Sequence, residues 1–148
     1  MTLIKSISGI RGTVGGKPGD NLTPVDVVKF AAAFGSWVQS RQGKKIVIGR
    51  DARLSGEMIS QLVASTLQGL GIHVIDLGLS TTPTVELAVT LEKAHGGIIL
   101  TASHNPIQWN ALKLLNEKGE FISAADGADV LKRATDETFV FAEVMRLG

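Results

Sequence analysis

Short apolar segments alternate with helical patterns through most of this chain, and the alternation limits the folds open to it. Three aliphatic runs have the length of buried strands: 45–49, 72–77 and 96–100. Three other segments carry apolar residues at helical spacing: 23–41, 55–70 and 82–92. Because strands that alternate with helices bury their apolar faces by layering, the sequence predicts a three-layer α/β/α sandwich.

A fourth apolar run changes the expected sheet. Residues 111–115 are separated from the run at 96–100 only by the segment 101–110. A helical crossover needs a dozen or more residues, so these two strands are expected to pair antiparallel. The sequence therefore predicts a mixed, mainly parallel sheet within a single domain spanning 1–148. The apolar tail, 138–148, is expected to pack against this domain.

Helix ends carry recognisable capping signals. Thr23 followed by Pro24 is expected to start the first helix, and Thr82 with the proline after it is expected to start the third. Ser55 is expected to cap the second helix through its side chain. Gly43 is the expected C-terminal cap of the first helix.

Composition and charge argue against several classes of function. Lysine and arginine number 15 against 14 acidic residues, and aromatic residues make up only 5%, so nucleic-acid binding is not expected. The absence of cysteine removes disulfides and thiolate metal sites and is consistent with a cytoplasmic location. No signal peptide and no membrane-spanning stretch is recognisable, so no membrane partner is expected.

Polar residues at the end of the run 96–100 are the strongest functional signal. That run continues into Thr101-Ala102-Ser103-His104-Asn105-Pro106, and ligands of open α/β sheets bind at this edge. Lys113 lies a short distance further along the chain. A hydroxyl, an imidazole, an amide and an ammonium group in one loop could carry and stabilise a phosphoryl group. Ser103 taken alone is better explained as part of an ordinary polar turn.

Two further motifs precede this loop. Arg11 lies between glycines in an extended segment, 7–14, where small neighbours leave its guanidinium open to bidentate phosphate contact; a surface arginine in a glycine turn is the alternative. The segment 50–56 follows a strand, and its Asp51 can accept hydrogen bonds from loop amides or pair with an arginine. We expect a structural role for this segment, with support of the serine loop as the alternative.

Together these motifs resemble those of the α-D-phosphohexomutases, which include phosphoglucomutase/phosphomannomutase and phosphoglucosamine mutase. The Ser-His-Asn-Pro loop with a following Asn and Lys resembles the family's active-site loop, and its serine matches Ser103. Gly9–Gly12 resembles the family's Gly-x-Arg-Gly element, and Gly49–Gly56 resembles Gly-x-Asp-x-Arg-x-Ser-Gly. The residues upstream of Arg11 depart mildly from the family pattern, which often has Phe-Gly-Thr there.

The resemblance implies an activity and a role for each matching residue. Ser103 would carry the phosphoryl group, and hexose 1-phosphates and 6-phosphates would interconvert through a bisphosphorylated sugar, with Mg²⁺ bound through the phosphoryl oxygen. Lys113 would assist proton transfer or neutralise charge, and Arg11 would hold phosphate. His104 would orient the loop or contact phosphate, with a solvated turn histidine as the alternative. Asn105 is assigned to phosphate binding, although fixing the turn through its own amide is the favoured role.

The sequence also departs from the family. Ala111 replaces the usual glycine after Asn110, which would cost about 1 kcal/mol or more if the position required positive φ. The resemblance covers only the family's first domain, and neither the metal-binding aspartate loop nor the sugar-reading loop is found. The chain is therefore expected to need the remaining domains as partners and to be inactive alone. A phosphoglucosamine mutase domain and a non-catalytic phosphate- or partner-binding module remain open; a serine hydrolase is disfavoured because no Gly-x-Ser-x-Gly elbow surrounds Ser103.

Overall fold

The helices and strands follow the predicted alternation closely. The computed structural model describes residues 1–7 and 9–148; Ser8, within the segment 7–14 predicted to be extended, lies outside the described residues. The strands are β1 (Ile4–Ser6), β2 (Gly9–Thr13), β3 (Lys45–Arg50), β4 (His73–Leu79), β5 (Gly96–Leu100) and β6 (Trp109–Leu115). The helices are α1 (Pro24–Ser40), α2 (Gly56–Gly69), α3 (Thr82–Leu91), α4 (Ala124–Asp136) and a short 3-10 helix (Val144–Arg146).

All six strands form one mixed sheet in the order β1-β2-β6-β5-β3-β4. β5 pairs parallel with β3 and antiparallel with β6, as the short connection predicted. β6 then pairs antiparallel with β2, so β2, β3, β4 and β5 run in the same direction. The sheet is mainly parallel, as expected, in the sense that most strands run in one direction. Most neighbouring strand pairs, however, are antiparallel. The insertion of β6 between β2 and β5, with β1 at the edge, makes three of the five pairings antiparallel.

Helices cover both faces of the sheet, which confirms the three-layer architecture. Successive residues of β3 point to opposite faces: Ile46 and Ile48 lie in the core beneath α1, α2 and α4, whereas Val47 lies in the core beneath α3. The larger core includes the buried ring pair of Phe34 and Trp37, whose centroids are 5.6 Å apart. α3 packs over β3 and β5 on the other face.

The first helix begins as the sequence predicted. The Thr23 side chain accepts a hydrogen bond from the Asp26 amide, and the Asp26 carboxylate accepts one from the Thr23 amide, which completes a capping box. The third helix begins one residue earlier than expected, because Thr81 and not Thr82 is the capping residue. Either way, the threonine-proline signals located both helix starts.

Two other predicted caps are wrong. Gln42, with φ of 63°, adopts the left-handed conformation after α1, whereas Gly43 is required for close packing: a Cβ there would clash with the Val38 side chain. Ser55 precedes α2 without a side-chain capping bond. Its Oγ accepts a 2.9 Å hydrogen bond from Asn110 Nδ2 instead, so a tertiary contact replaces the local cap.

The tail contacts the end of α2, but the packing expected from its apolar residues is only partly confirmed, because Val140, Val144 and Leu147 are exposed. The Ala142 amide donates to the Gly69 carbonyl, and the Gly148 amide donates to the Gln68 carbonyl. Phe139 packs against the larger core. None of the helices in residues 1–7 and 9–148 combines the length and the apolar character that crossing a bilayer requires.

Candidate active site

The loop that joins β5 to β6 forms one wall of a cleft at the edge of the sheet. Ser103 and His104 are exposed in this loop, whereas Thr101 and Ala102 are buried at its start. The cleft has a volume of about 330 Å³ and is lined by Arg11, Thr101, Ala102, Ser103, His104, Asn105, Ala111 and Lys113. The structure therefore brings all five site residues predicted from the sequence into one concavity.

Strand register explains why Arg11 and Lys113 share this cleft. Arg11 in β2 lies directly opposite Ala111 in β6, and Lys113 lies two residues further along β6. Residues two apart in a strand point to the same face, so both long cationic side chains project from the face on which α3 packs. Since α3 packs over β3 and β5, the adjacent part of that face over β6 and β2 can hold the cleft.

Lys113 contacts the predicted phosphoryl carrier directly. Its Nζ donates a hydrogen bond of 2.9 Å to the Oγ of Ser103. A cation at this distance stabilises negative charge that develops on the oxygen or on a phosphoryl group attached to it. The arrangement suits transfer of an anionic group to and from the hydroxyl.

Ser103 adopts an unusual backbone conformation. Its φ is 51°, in the left-handed region that costs a non-glycine residue about 1–2 kcal/mol. The Ser103 amide donates to Thr101 Oγ1 at 3.2 Å, and the Asn105 amide donates to the Ala102 carbonyl at 3.0 Å. The backbone amide of Asn105 thus closes the turn. Strain of this kind persists only where surrounding contacts hold it.

Arg53, which sequence reasoning did not place in the site, binds this loop through its guanidinium group. Its Nη2 donates to the carbonyls of Ser103 at 2.9 Å and Asn105 at 2.7 Å. Its Nη1 donates to the carbonyls of Pro106 at 2.8 Å and Trp109 at 3.1 Å. One guanidinium therefore binds three carbonyls of the loop and the first carbonyl of β6.

Asp51 connects this guanidinium to the start of the loop. Its Oδ2 accepts a 2.6 Å hydrogen bond from Thr101 Oγ1 and lies 3.5 Å from Arg53 Nε, while its Oδ1 accepts from the Arg53 amide. The Arg53 side chain is only 12% exposed. These contacts match the alternative expected for the segment 50–56, support of the serine loop. The signal that could have identified Arg53 was its place in the Gly-x-Asp-x-Arg-x-Ser-Gly motif.

Ala111 occupies a regular strand position, so the alanine that replaces the family's glycine does not need positive φ. It lies within β6 opposite Arg11 and is buried. An alanine is unstrained in extended backbone, so the substitution does not displace Lys113. Asn110, the residue before it, is fully buried and donates to Ser55, which ties the start of β6 to the start of α2.

The described residues do not by themselves fit a magnesium site. Within 1–7 and 9–148, no group of three or more histidine, cysteine, aspartate and glutamate side chains is arranged to hold a metal ion. The carboxylate of the loop network, Asp51, already binds Thr101 and contacts Arg53. Mg²⁺ requires a near-octahedral set of oxygen ligands, so most of its ligands would have to come from outside this set of residues. The Mg²⁺ dependence stays a prediction.

Comparison with known proteins shows the family of the chain. The family described as "Phosphoglucomutase/phosphomannomutase, alpha/beta/alpha domain I" matches residues 3–141. A phosphoglucomutase/phosphomannomutase of Thermococcus kodakarensis is 40% identical over 143 residues, which covers 95% of this chain and 30% of that protein. A Pyrococcus abyssi protein named probable phosphoglucosamine mutase is 41% identical over 141 residues, again covering 95% and 30%.

A solved structure shows the same relationship in three dimensions. A phosphoglucomutase/phosphomannomutase family protein from Burkholderia thailandensis superposes with a TM-score of 0.77 at 27% identity, over 93% of this chain and 31% of that one. The chain spans about 30% of the length of the curated relatives it matches. By its sequence and its fold, the chain belongs to the phosphoglucomutase/phosphomannomutase family, in which it corresponds to the α/β/α domain I.

Proposed function

We propose that this chain is the serine-bearing domain of a hexose-phosphate mutase and that Ser103 carries the phosphoryl group. The observation that supports this most strongly is the 2.9 Å contact from Lys113 Nζ to Ser103 Oγ, in a cleft that also contains Arg11. A nucleophilic hydroxyl with two cationic side chains in one cleft suits phosphoryl transfer, in which charge on the moving group must be stabilised.

The proposed reaction, which the family resemblance implies, consists of two transfers. A hydroxyl of the hexose phosphate loses its proton and attacks the phosphorus on Ser103; the bond from phosphorus to Oγ breaks, Oγ takes up a proton, and a bisphosphorylated sugar forms. The sugar then reorients, and Oγ loses its proton and attacks the other phosphoryl group; the bond from that phosphorus to the sugar oxygen breaks, the sugar oxygen takes up a proton, and the isomeric monophosphate is released. Lys113 supplies and recovers the proton or neutralises charge at Oγ.

The other cleft residues bind the sugar phosphate. Arg11 is exposed and presents a fork that matches phosphate oxygens in bidentate fashion. His104, exposed in the loop, orients the loop or contacts the phosphate, and Asn105 contributes through the turn it closes. Relatives carry both phosphoglucomutase/phosphomannomutase and phosphoglucosamine mutase names, so glucose, mannose and glucosamine phosphates are the candidate substrates.

Turnover by this chain alone is not expected. It corresponds to about 30% of its relatives' length, and the described residues lack the oxygen ligands that a magnesium ion needs. The complete reaction is therefore assigned to a longer polypeptide containing this domain. Its further domains would supply the metal site and the sugar-reading contacts.

A coupled assay with the 1-phosphates of glucose, mannose and glucosamine tests the proposal. The longer polypeptide should convert at least one of them, the Ser103→Ala variant should be inactive, and the 148-residue chain should show no turnover. Intact-mass analysis should find one phosphoryl group on Ser103 that the alanine variant lacks. Robust turnover by the Ser103→Ala polypeptide would contradict the proposal. An unmodified serine with tight sugar-phosphate binding would favour the binding-module alternative.

A further inference from the structure

Arg53 is absent from the residues that line the cleft, yet it makes more hydrogen bonds to the serine loop than any predicted site residue does. We infer that Arg53 is a positioning residue that holds Ser103 in the geometry required for phosphoryl transfer, acting through the loop backbone and not through contact with substrate. This inference rests on the proposed function of Ser103. It assigns to Arg53 an effect on the rate of transfer.

Both peptide groups that flank Ser103 are fixed by side chains of one network. Thr101 Oγ1 accepts from the Ser103 amide, and Arg53 Nη2 donates to the Ser103 carbonyl. Asp51 joins the two, because its Oδ2 binds Thr101 Oγ1 and lies near Arg53 Nε. Fixing the peptide groups on both sides of a residue fixes its φ and ψ, and hence the direction of its Cα–Cβ bond. The network therefore sets the position of Ser103 Cβ, from which Oγ reaches Lys113 Nζ.

The conformation that this network imposes is one that a serine does not adopt freely. A φ of 51° lies in the left-handed region that serine rarely adopts, so a loop released from Arg53 is expected to relax toward negative φ. That relaxation would move Oγ out of the position in which Lys113 Nζ meets it; the backbone of Lys113 is held in β6, so only its side chain could adjust. A misplacement of about 1 Å at a reacting atom can cost about 100-fold in rate.

Arginine suits this position for a geometric reason. The carbonyls of Ser103, Asn105, Pro106 and Trp109 all meet the two terminal nitrogens of Arg53. A lysine has a single nitrogen on a flexible stem and cannot reproduce a planar fork. Replacement by lysine keeps the positive charge but removes most of these hydrogen bonds, so it tests the hydrogen bonding of Arg53 separately from its charge.

The first experiment uses a single-thiol probe on the chain itself. The chain contains no cysteine, so Ser103→Cys introduces its only thiol. The positive charge of Lys113 should lower the pKa of this thiol, measured from the pH dependence of its alkylation rate. Adding Arg53→Lys should raise the thiol pKa by at least half a unit, which slows alkylation at neutral pH by about threefold. Adding Arg50→Lys, a matched change at the end of β3 three residues before Arg53, should leave it unchanged.

The second experiment measures kinetics in the longer mutase. Arg53→Lys should lower kcat about tenfold and Arg53→Gln about 100-fold, with KM for glucose 1-phosphate changed by less than about twofold. Arg50→Lys should leave both constants near the parent values. Thermal unfolding identifies any variant that fails to fold. If Arg53→Gln does not fold, the kinetics of Arg53→Lys test the inference, since lysine keeps the positive charge and a long aliphatic side chain.

The outcomes distinguish the role of Arg53 from the proposed role of Ser103. An unchanged thiol pKa on adding Arg53→Lys, or an unchanged kcat in a folded variant, would overturn the role of Arg53 while leaving Ser103 as the carrier. A loss expressed in KM alone would also overturn it, because it would assign Arg53 to binding. A Ser103→Cys thiol pKa that does not respond to Lys113→Met would contradict the proposed function of the pair, and the inference with it.

Discussion

Lys113 Nζ donates a 2.9 Å hydrogen bond to Ser103 Oγ across the antiparallel turn from β5 to β6. The two residues are close because the chain reverses direction in the loop, so that β6 runs back alongside β5 and brings Lys113 near the loop. The contact places an amino group that can transfer a proton or neutralise charge beside the hydroxyl proposed to carry the phosphoryl group.

Replacing Lys113 by methionine should remove this contact while preserving side-chain length. In the longer mutase, kcat is expected to fall by about 10²–10⁴-fold, the range for loss of a general acid–base group. Coupled turnover assays measure the effect. Lys118→Met, an exposed lysine in a turn beyond β6, is the control and should retain full activity. A Lys113→Met enzyme with normal kcat would remove Lys113 from the mechanism.

Replacing Arg11 by methionine should weaken phosphate binding more than it alters the fold, because the side chain is exposed in the cleft. Loss of one charge-assisted bidentate contact, worth about 1.5–3 kcal/mol, predicts at least tenfold weaker binding of glucose 1-phosphate to the longer mutase. Isothermal titration calorimetry measures the affinity, with Arg146→Met in the tail as the control. Equal affinities for the Arg11 variant and the parent would refute the assignment.

Replacing Thr101 by valine should destabilise the chain by about 1–3 kcal/mol, because the change leaves the Asp51 carboxylate without a hydroxyl partner in a half-buried position. Urea unfolding measures the free energy of unfolding. Thr90→Val, on the exposed side of α3, removes a hydroxyl bonded to a helix carbonyl and should cost much less. Equal losses in the two variants would argue against a stabilising Thr101–Asp51 contact.

Restoring the family's glycine at position 111 should not help this chain. Ala111 lies in a regular strand, so Ala111→Gly is expected to lower the free energy of unfolding by about 0.5–1 kcal/mol through the greater freedom of the unfolded chain. Urea unfolding again provides the measurement. A stabilised Ala111→Gly chain would show that the position requires positive φ after all.

The C-terminal end of α1 offers a paired test of the corrected cap. Gln42 has φ of 63°, so Gln42→Gly should stabilise the chain by about 1 kcal/mol. Gly43→Ala should destabilise it, because the added Cβ meets the Val38 side chain. Thermal unfolding of both variants checks the assignment; stabilisation by Gly43→Ala would reverse it.

Local patterns predicted what depends on local chemistry. Threonine-proline signals located the starts of α1 and α3, and the segment 101–110 was too short for anything except an antiparallel return. The motifs around Arg11, Ser103 and Lys113 identified residues that the structure places in one cleft. Each of these predictions uses capping, loop length or a short motif that resembles the family's, and all of these are carried by neighbouring residues.

Long-range pairing was beyond such patterns. Nothing local indicates that β6 inserts between β2 and β5, because strand order depends on which edges can pair while both sheet faces are covered. The same limit applied to Ser55, which looked like a helix cap but binds Asn110, and to Arg53, whose carbonyl partners begin fifty residues further along the chain. A side chain chooses among partners only once the fold has brought them within reach.

The sequence by itself therefore determined the kind of fold and the chemical groups of the cleft, since periodicity and motif identity are carried by adjacent residues. Only the tertiary structure decided how those groups are held: the left-handed Ser103, the grip of Arg53 and the shared face of Arg11 and Lys113. The reason is physical. Backbone strain and strand register are maintained by contacts between segments distant in the chain, and those contacts exist only in the folded state.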